Sequence, residues 1–135
     1  MFRLLLLLAL PVPALGARMD LGVSDLREAS DVRVLAEVTS SEVRWAEGPE
    51  GGLETVVWLA PIDATRAVGE DLAVVLPGGT LGDYVHWVEH VPRFELDRRY
   101  VLFLEERPQG PRIVAGDQGV LPVRRDLDRV PWELR

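Results

Sequence analysis

The sequence predicts a mainly β domain, folded as a small antiparallel barrel or as a β-sandwich, with one short helix before the first strand. Three observations carry this. From Asp31 onward, apolar and polar residues alternate with period two. Six or seven short runs rich in Val, Leu and aromatic residues follow one another at close spacing. Gly and Pro clusters separate those runs, and almost no stretch carries helical periodicity.

The elements are expected in this order. Residues 18–30 form a lead-in, in which Ser24 caps a short helix running through Ala29 with Asp25 near its positive end. Leu21 and Leu26 pin that helix to the body. Val32, Val34, Ala36 and Val38 then give one apolar strand face, and Arg33, Leu35, Glu37 and Thr39 a mixed one. At Ser40-Ser41 the strand gives way to Glu42–Trp45, read as its continuation after a bulge. Glu47–Gly52 is a loop, and Leu53–Ala60 a β-branched and aromatic strand.

Pro61–Asp71 reads as a connection with a helical turn, and Leu72–Leu76 as a short buried strand stopped by Pro77-Gly78-Gly79. Tyr84–Val91 and Tyr100–Glu105 are further strands, the latter the most hydrophobic of the set. Pro108–Pro111 turns the chain, Arg112–Ala115 returns it, and Val120–Val123 follows a second turn at Gly116–Gly119. The β domain thus spans 31–123, and residues 124–135 are expected to be a charged, frayed tail.

The first 17 residues read as a secretory signal peptide. Met1-Phe2-Arg3 is a positive start, Leu4–Leu10 an apolar run, and Ala14–Ala17 supplies small residues for cleavage after Gly16 or Ala17. The run is far short of the ~20 residues that a membrane span needs. The expected location is therefore periplasmic or extracellular. A chain beginning at Arg18 keeps 14 Arg against 22 acidic residues, a formal charge of −8. Nucleic acid is an unfavourable partner for such a chain, because binding there rests on cations that neutralise phosphates. Without cysteine there is no disulfide, thiolate metal site, thiol nucleophile or lipid anchor. Stability must come from apolar burial, with 47% hydrophobic residues and four Trp to supply it.

A group of segments resembles a family. Asp31–Val34 running into Glu37-Val38-Thr39, the Leu76–Gly79 stop, Val91–Phe94, and Arg99–Leu104 followed by Gln118-Gly119 resemble uncharacterised exported bacterial OB-like β-barrel domains. Those domains are distantly similar to the netrin and tissue-inhibitor-of-metalloproteinase module. The resemblance spans about residues 24–123 and implies an OB-like barrel with a protein-binding role. It does not transfer protease inhibition, which in that module uses an N-terminal cysteine to chelate zinc.

Several motifs invite an enzymatic reading. His86-Trp87-Val88-Glu89-His90 matches H-x-x-E-H, the inverted zinc-peptidase motif, and holds both histidines of the chain. That chemistry needs a helix, so that residues four apart share one face. The β-forming neighbours and Pro92 argue for a strand, where such residues lie about 13 Å apart, at ~3.3 Å per residue. Pro77–Gly82 lacks the Lys-Ser/Thr ending of a phosphate loop and reads as a glycine turn with positive φ angles. The carboxylate pairs Glu70-Asp71, Glu105-Glu106 and Asp126/Asp128 fall in turns and strand ends and read as solvated surface. No serine lies in a G-x-S-x-G context.

What remains is a non-enzymatic binding or interaction module with no cofactor, whose partner is a protein or an envelope component. Trp45, in a polar setting, is the leading partner-binding residue, with His86 and His90 as further candidates; Trp58 is expected in the core. An exported hydrolase acting through His86, Glu89 and His90, or a purely structural envelope domain, are the alternatives.

Overall fold

The computed structural model describes residues 21–47 and 51–135. The expected signal peptide and the start of the lead-in lie outside the described residues. The fold is mainly β, as the alternation predicts. Helix α1 (Val23–Ala29) leads into β1 (Val32–Trp45), β2 (Leu53–Ala64), β3 (Leu72–Pro77), β4 (Gly79–Leu81), β5 (Tyr84–His86), β6 (Arg99–Arg107), β7 (Gly110–Ile113) and β8 (Val120–Pro122). Short 3-10 turns occupy Gly116–Gly119 and Trp132–Leu134. The cap of α1 is Gly22 rather than Ser24: the Gly22 N–H donates to Asp25 Oδ2 at 3.1 Å, which fixes the first turn two residues early.

All pairings are antiparallel. The main sheet has the order β3-β2-β1-β6-β7, and β8 shares the far edge of β6 with β7. β7 takes Leu104–Arg107 and β8 takes Tyr100–Leu102. β3 and β7, the two ends of this order, come within 8 Å of each other without a ladder between them. The sheet is therefore strongly curved, but among the described residues no ladder closes it into a barrel.

β1 organises the sheet because it is 14 residues long and changes partners along its length. Val32–Glu37 pair with β6, whereas Val34–Trp45 run along β2. The register shifts twice, at Ile62 on β2 and at Thr39 on β1. Thr39 is the expected bulge, one residue earlier than Ser40, and its hydroxyl donates to the Trp58 carbonyl at 3.1 Å. The bulge moves the core-facing parity from even to odd residues, so Ser41, Val43 and Trp45 share the face of Val32–Val38 despite their odd numbers. β2 extends through Pro61–Ala64, where a loop is expected from sequence. There it has already left β3, whose pairing ends at Leu59–Leu72, and proline is tolerated at bulges and unpaired edges.

Two cores form on the two faces of the sheet. The larger gathers Val34, Val38, Leu59, Val74, Leu102 and Leu104 with their neighbours on the concave side. The smaller buries Leu35, Val101 and Phe103 on the opposite side of β1 and β6, under Leu26 of α1 and Val130 and Leu134 of the C-terminal segment. This explains why β6 is apolar at every position from Tyr100 to Leu104: it is covered on both faces. Each fully buried Val, Leu or Phe contributes about 1.5–3 kcal/mol, so the second layer supplies what disulfides do in other small domains.

The C-terminal segment is thus docked, correcting the expectation of a frayed tail. Asp63 Oδ2 accepts the Val130 N–H and an Arg135 N–H, both at 2.7 Å. Arg99 donates to the Leu127 carbonyl at 2.6 Å and Arg33 to the Leu134 carbonyl at 3.1 Å. Burial, and then the charge of Arg27, lower the pKa of Arg33 from its ordinary value. Apolar residues at Leu127, Val130 and Leu134, spaced among the charges, are what the segment buries. Trp58 is a second correction. Val57 and Leu59 face the larger core, so strand parity turns Trp58 outward, where it is half-buried.

A candidate binding surface at the β4–β5 hairpin

After β3 the chain must leave the sheet and double back across it, and two glycines make that corner. Gly78 and Gly79 have φ of 90° and 146°. A Cβ on Gly79 would lie 2.7 Å from Thr55 Oγ1 and 2.8 Å from Val43 Cγ1, so only glycine lets β4 rest on β1 and β2 at this distance. Thr55 Oγ1 in turn donates to the Gly78 carbonyl at 2.8 Å. β4 and β5 then form a two-stranded sheet of their own, joined by Gly82-Asp83 with Gly82 at φ 60°. Glycine at the first central position suits the tight hairpin turns whose twist matches the flanking strands.

Strands of three residues have no face to bury, and the hairpin displays its apolar side chains to solvent. Tyr84 is 63% exposed, Val85 71% and Trp87 65%. Trp45, at the end of β1, is 54% exposed and meets Tyr84 edge to face with ring centroids 5.3 Å apart. Leu81, at the turn, is exposed as well. The charges beside these side chains on the hairpin are acidic, Asp83 and Glu89, and both are exposed. Trp45 was legible in advance from its polar setting. Tyr84, Val85 and Leu81 escape a reading of the sequence alone, although Gly82-Asp83 between Leu81 and Tyr84 signals a tight hairpin.

His86 closes β5 and fastens the hairpin to the sheet. Its Nδ1 accepts the Leu53 N–H at 3.1 Å, so the ring acts in its neutral form with the proton on Nε2. Gly52 makes room for it: a Cβ there would lie 2.9 Å from the imidazole. The strand expected to run from Tyr84 to Val91 ends at His86, and Trp87–Val91 has no regular structure. His90 has φ 59°, a left-handed conformation that fits neither strand nor helix, and its carbonyl accepts the Asp117 N–H at 3.0 Å. The helix required by the H-x-x-E-H chemistry is therefore absent from 84–91. Among the described residues no group of three or more His, Asp or Glu is placed to hold a metal. The Glu89–His90 contact, at 3.8 Å between largely exposed side chains, contributes little.

Two hollows flank the segment 88–92. One, of about 590 Å³, lies beneath the hairpin, with Thr55, Gly78, His86 and His90 in its wall. The other, of similar size, lies in the gap between β3 and β7 and is also lined by His90. Of the three residues singled out from sequence, the structure thus brings Trp45 and His86 to the hairpin, on its surface and at its base. His90 lies on the strap between the hollows and shares with His86 the wall of the one beneath the hairpin.

No helix among the described residues is long and apolar enough to cross a membrane. No protein-family description, curated protein or solved structure matches the chain.

Proposed function

We propose that this chain is an exported, non-enzymatic binding module that engages a protein partner through the aromatic surface of the β4–β5 hairpin. The observation that carries the reading is the set of exposed side chains on and beside the hairpin, Trp45 against Tyr84 together with Val85 and Trp87, held on glycine corners and a histidine clasp. Exposed large apolar side chains concentrated on one small element mark interaction sites, and Trp and Tyr dominate the energetics of interfaces. The side-chain mixture favours a protein over a polar ligand, since Val85 and Leu81 offer only apolar contact. The partner's contacting face is apolar at its centre and basic at its rim, to complement Asp83, Glu89 and the formal charge of −8 that remains once residues 1–17 are removed. Export rests on the signal-peptide pattern of residues 1–17, and the OB-like resemblance agrees with a binding role.

Capture from the native envelope fraction tests this. The wild-type chain is expected to retain a discrete protein that Trp87→Ala and Tyr84→Ala variants lose, while both variants keep the wild-type melting temperature within a few degrees. Equal retention by all three chains would remove the hairpin from the interface.

A further inference from the structure

We infer that the open edge of β1 is a self-pairing surface, on which a second copy of this chain adds its own Ser41–Trp45 segment in antiparallel register. This goes beyond the hairpin reading and rests on a different observation, the hydrogen-bond phase of β1. β6 accompanies β1 only as far as Glu37, and the last bonds on that side join Val38 to Arg98 and Asp97. Beyond the bulge, β1 has β2 on one side and no strand among the described residues on the other.

The phase of the β1–β2 ladder is set at its end, where the Ala46 N–H donates to the Gly52 carbonyl at 2.8 Å. In an antiparallel ladder bonded and non-bonded pairs alternate, so Arg44, Glu42 and Ser40 turn their backbone groups toward β2. Ser41, Val43 and Trp45 consequently turn theirs outward, to the open edge. Among the described residues no hydrogen bond uses these groups. Two of the devices that guard edge strands are missing from this stretch, which has no proline and no bulge between Ser41 and Trp45, and its two charges, Glu42 and Arg44, are of opposite sign.

The side chains of this edge are complementary to themselves. Two copies paired antiparallel about Val43 set Ser41 opposite Trp45 of the other copy, Glu42 opposite Arg44, and Val43 opposite itself. Every outward-facing residue then falls in a hydrogen-bonded pair, and the same patch of each copy meets the other across a two-fold axis. Glu42 and Arg44 lie on the face away from the hairpin, and Arg44 is already extended along that face by Glu54. Opposite charges directly across a strand pair stabilise it, and like charges destabilise it. The neighbouring registers that keep the same hydrogen-bond phase fail on this count. Sliding by two residues places Glu42 against Glu42 in one direction and Arg44 against Arg44 in the other, so the charges select a single register. A foreign strand has no such built-in match. Tyr84, Val85 and Trp87 stay outside the pairing and free for the partner proposed above.

Sedimentation velocity over a concentration series tests the proposal, using the purified chain and its Glu42→Arg, Arg44→Glu and doubly substituted variants. The chain is expected to dimerise reversibly. Each single reversal places like charges opposite at two symmetric positions and weakens the dimer about tenfold. The double variant restores affinity to within about threefold of the parent, by the same pairing rule. Far-UV circular dichroism checks that all variants are folded. Trp87→Ala, which disables the hairpin and leaves the edge intact, keeps the dimer, so this test and the partner-capture test fail independently. A chain that stays monomeric, including one that gains a foreign strand on this edge, overturns the proposal. So does a dimer indifferent to Glu42→Arg, or a double variant that does not recover.

Discussion

The imidazole of His86 takes the Leu53 N–H at the point where the β2–β3 ladder runs out. The Gly78 N–H still donates to the Leu53 carbonyl at 2.7 Å, but the Gly78 carbonyl is held by Thr55 Oγ1, and Leu53 would otherwise lack an acceptor. One nitrogen thereby completes the sheet edge and anchors the hairpin that carries the aromatic surface. The first histidine of a motif that reads as a zinc site in sequence serves here as a structural clasp.

His86→Ala is expected to cost about 1 kcal/mol of global stability, the usual net contribution of one hydrogen bond. Its sharper signature is local. The Leu53 amide loses protection in hydrogen exchange while the amides of Val34 and Leu102 keep theirs. In the wild-type chain, nitrogen NMR is expected to find the His86 proton on Nε2. A histidine with the proton on Nδ1 would contradict the contact.

Gly79→Ala is expected to destabilise the chain by about 1–3 kcal/mol, because the new methyl must displace Thr55 and Val43 at a φ that side chains rarely adopt. Denaturant unfolding measures the loss. Gly51→Ala, also at positive φ but with open space around it, removes the steric part and separates the two costs.

The C-terminal segment contributes to the fold as a second layer. Leu134→Ala is expected to cost about 2–5 kcal/mol, the range for emptying a buried leucine site. Asp63→Ala releases the Val130 N–H and Arg135 together and lowers the melting temperature in the same experiment. A chain ending at Val123 exposes Leu35, Val101 and Phe103 and is expected to aggregate. Unchanged melting of Leu134→Ala would show that the tail does not cover this face.

Much of this architecture is legible in the residues. The alternation of Val32 to Val38, the bulge near Ser40, and the Leu76–Gly79 stop all read directly, because strand parity and glycine stereochemistry act locally. Other features did not, and three of them depend on a distant contact. Trp58 is large and apolar, but its parity is owned by Val57 and Leu59. The tail shows seven charged residues between Arg124 and Arg135 ahead of its three apolar anchors, and those matter only against a face that β6 supplies. The strand at Tyr84 stops at His86 because Leu53 claims the imidazole, a partner 33 residues away. At the candidate site, Trp45 was visible from its polar neighbours, whereas its ring contact with Tyr84 depends on where the hairpin folds back.

Zinc offers a simple discrimination between binding and hydrolysis. Addition of the ion is expected to leave the melting temperature unchanged, and elemental analysis of the purified chain to find well under one zinc per molecule. About one tightly held zinc, lost on His86→Ala, would return the hydrolase reading.

The hairpin surface itself is tested most directly by a photoreactive benzoylphenylalanine placed at Trp87 in the source cells, with the same probe at Trp132 as control. Trp132 is 81% exposed in the C-terminal segment, away from the aromatic cluster. The probe at position 87 is expected to give one discrete protein adduct, diminished by Trp45→Ala and absent from position 132. No adduct at 87, or the same adducts from both positions, would contradict a binding surface at the β4–β5 hairpin.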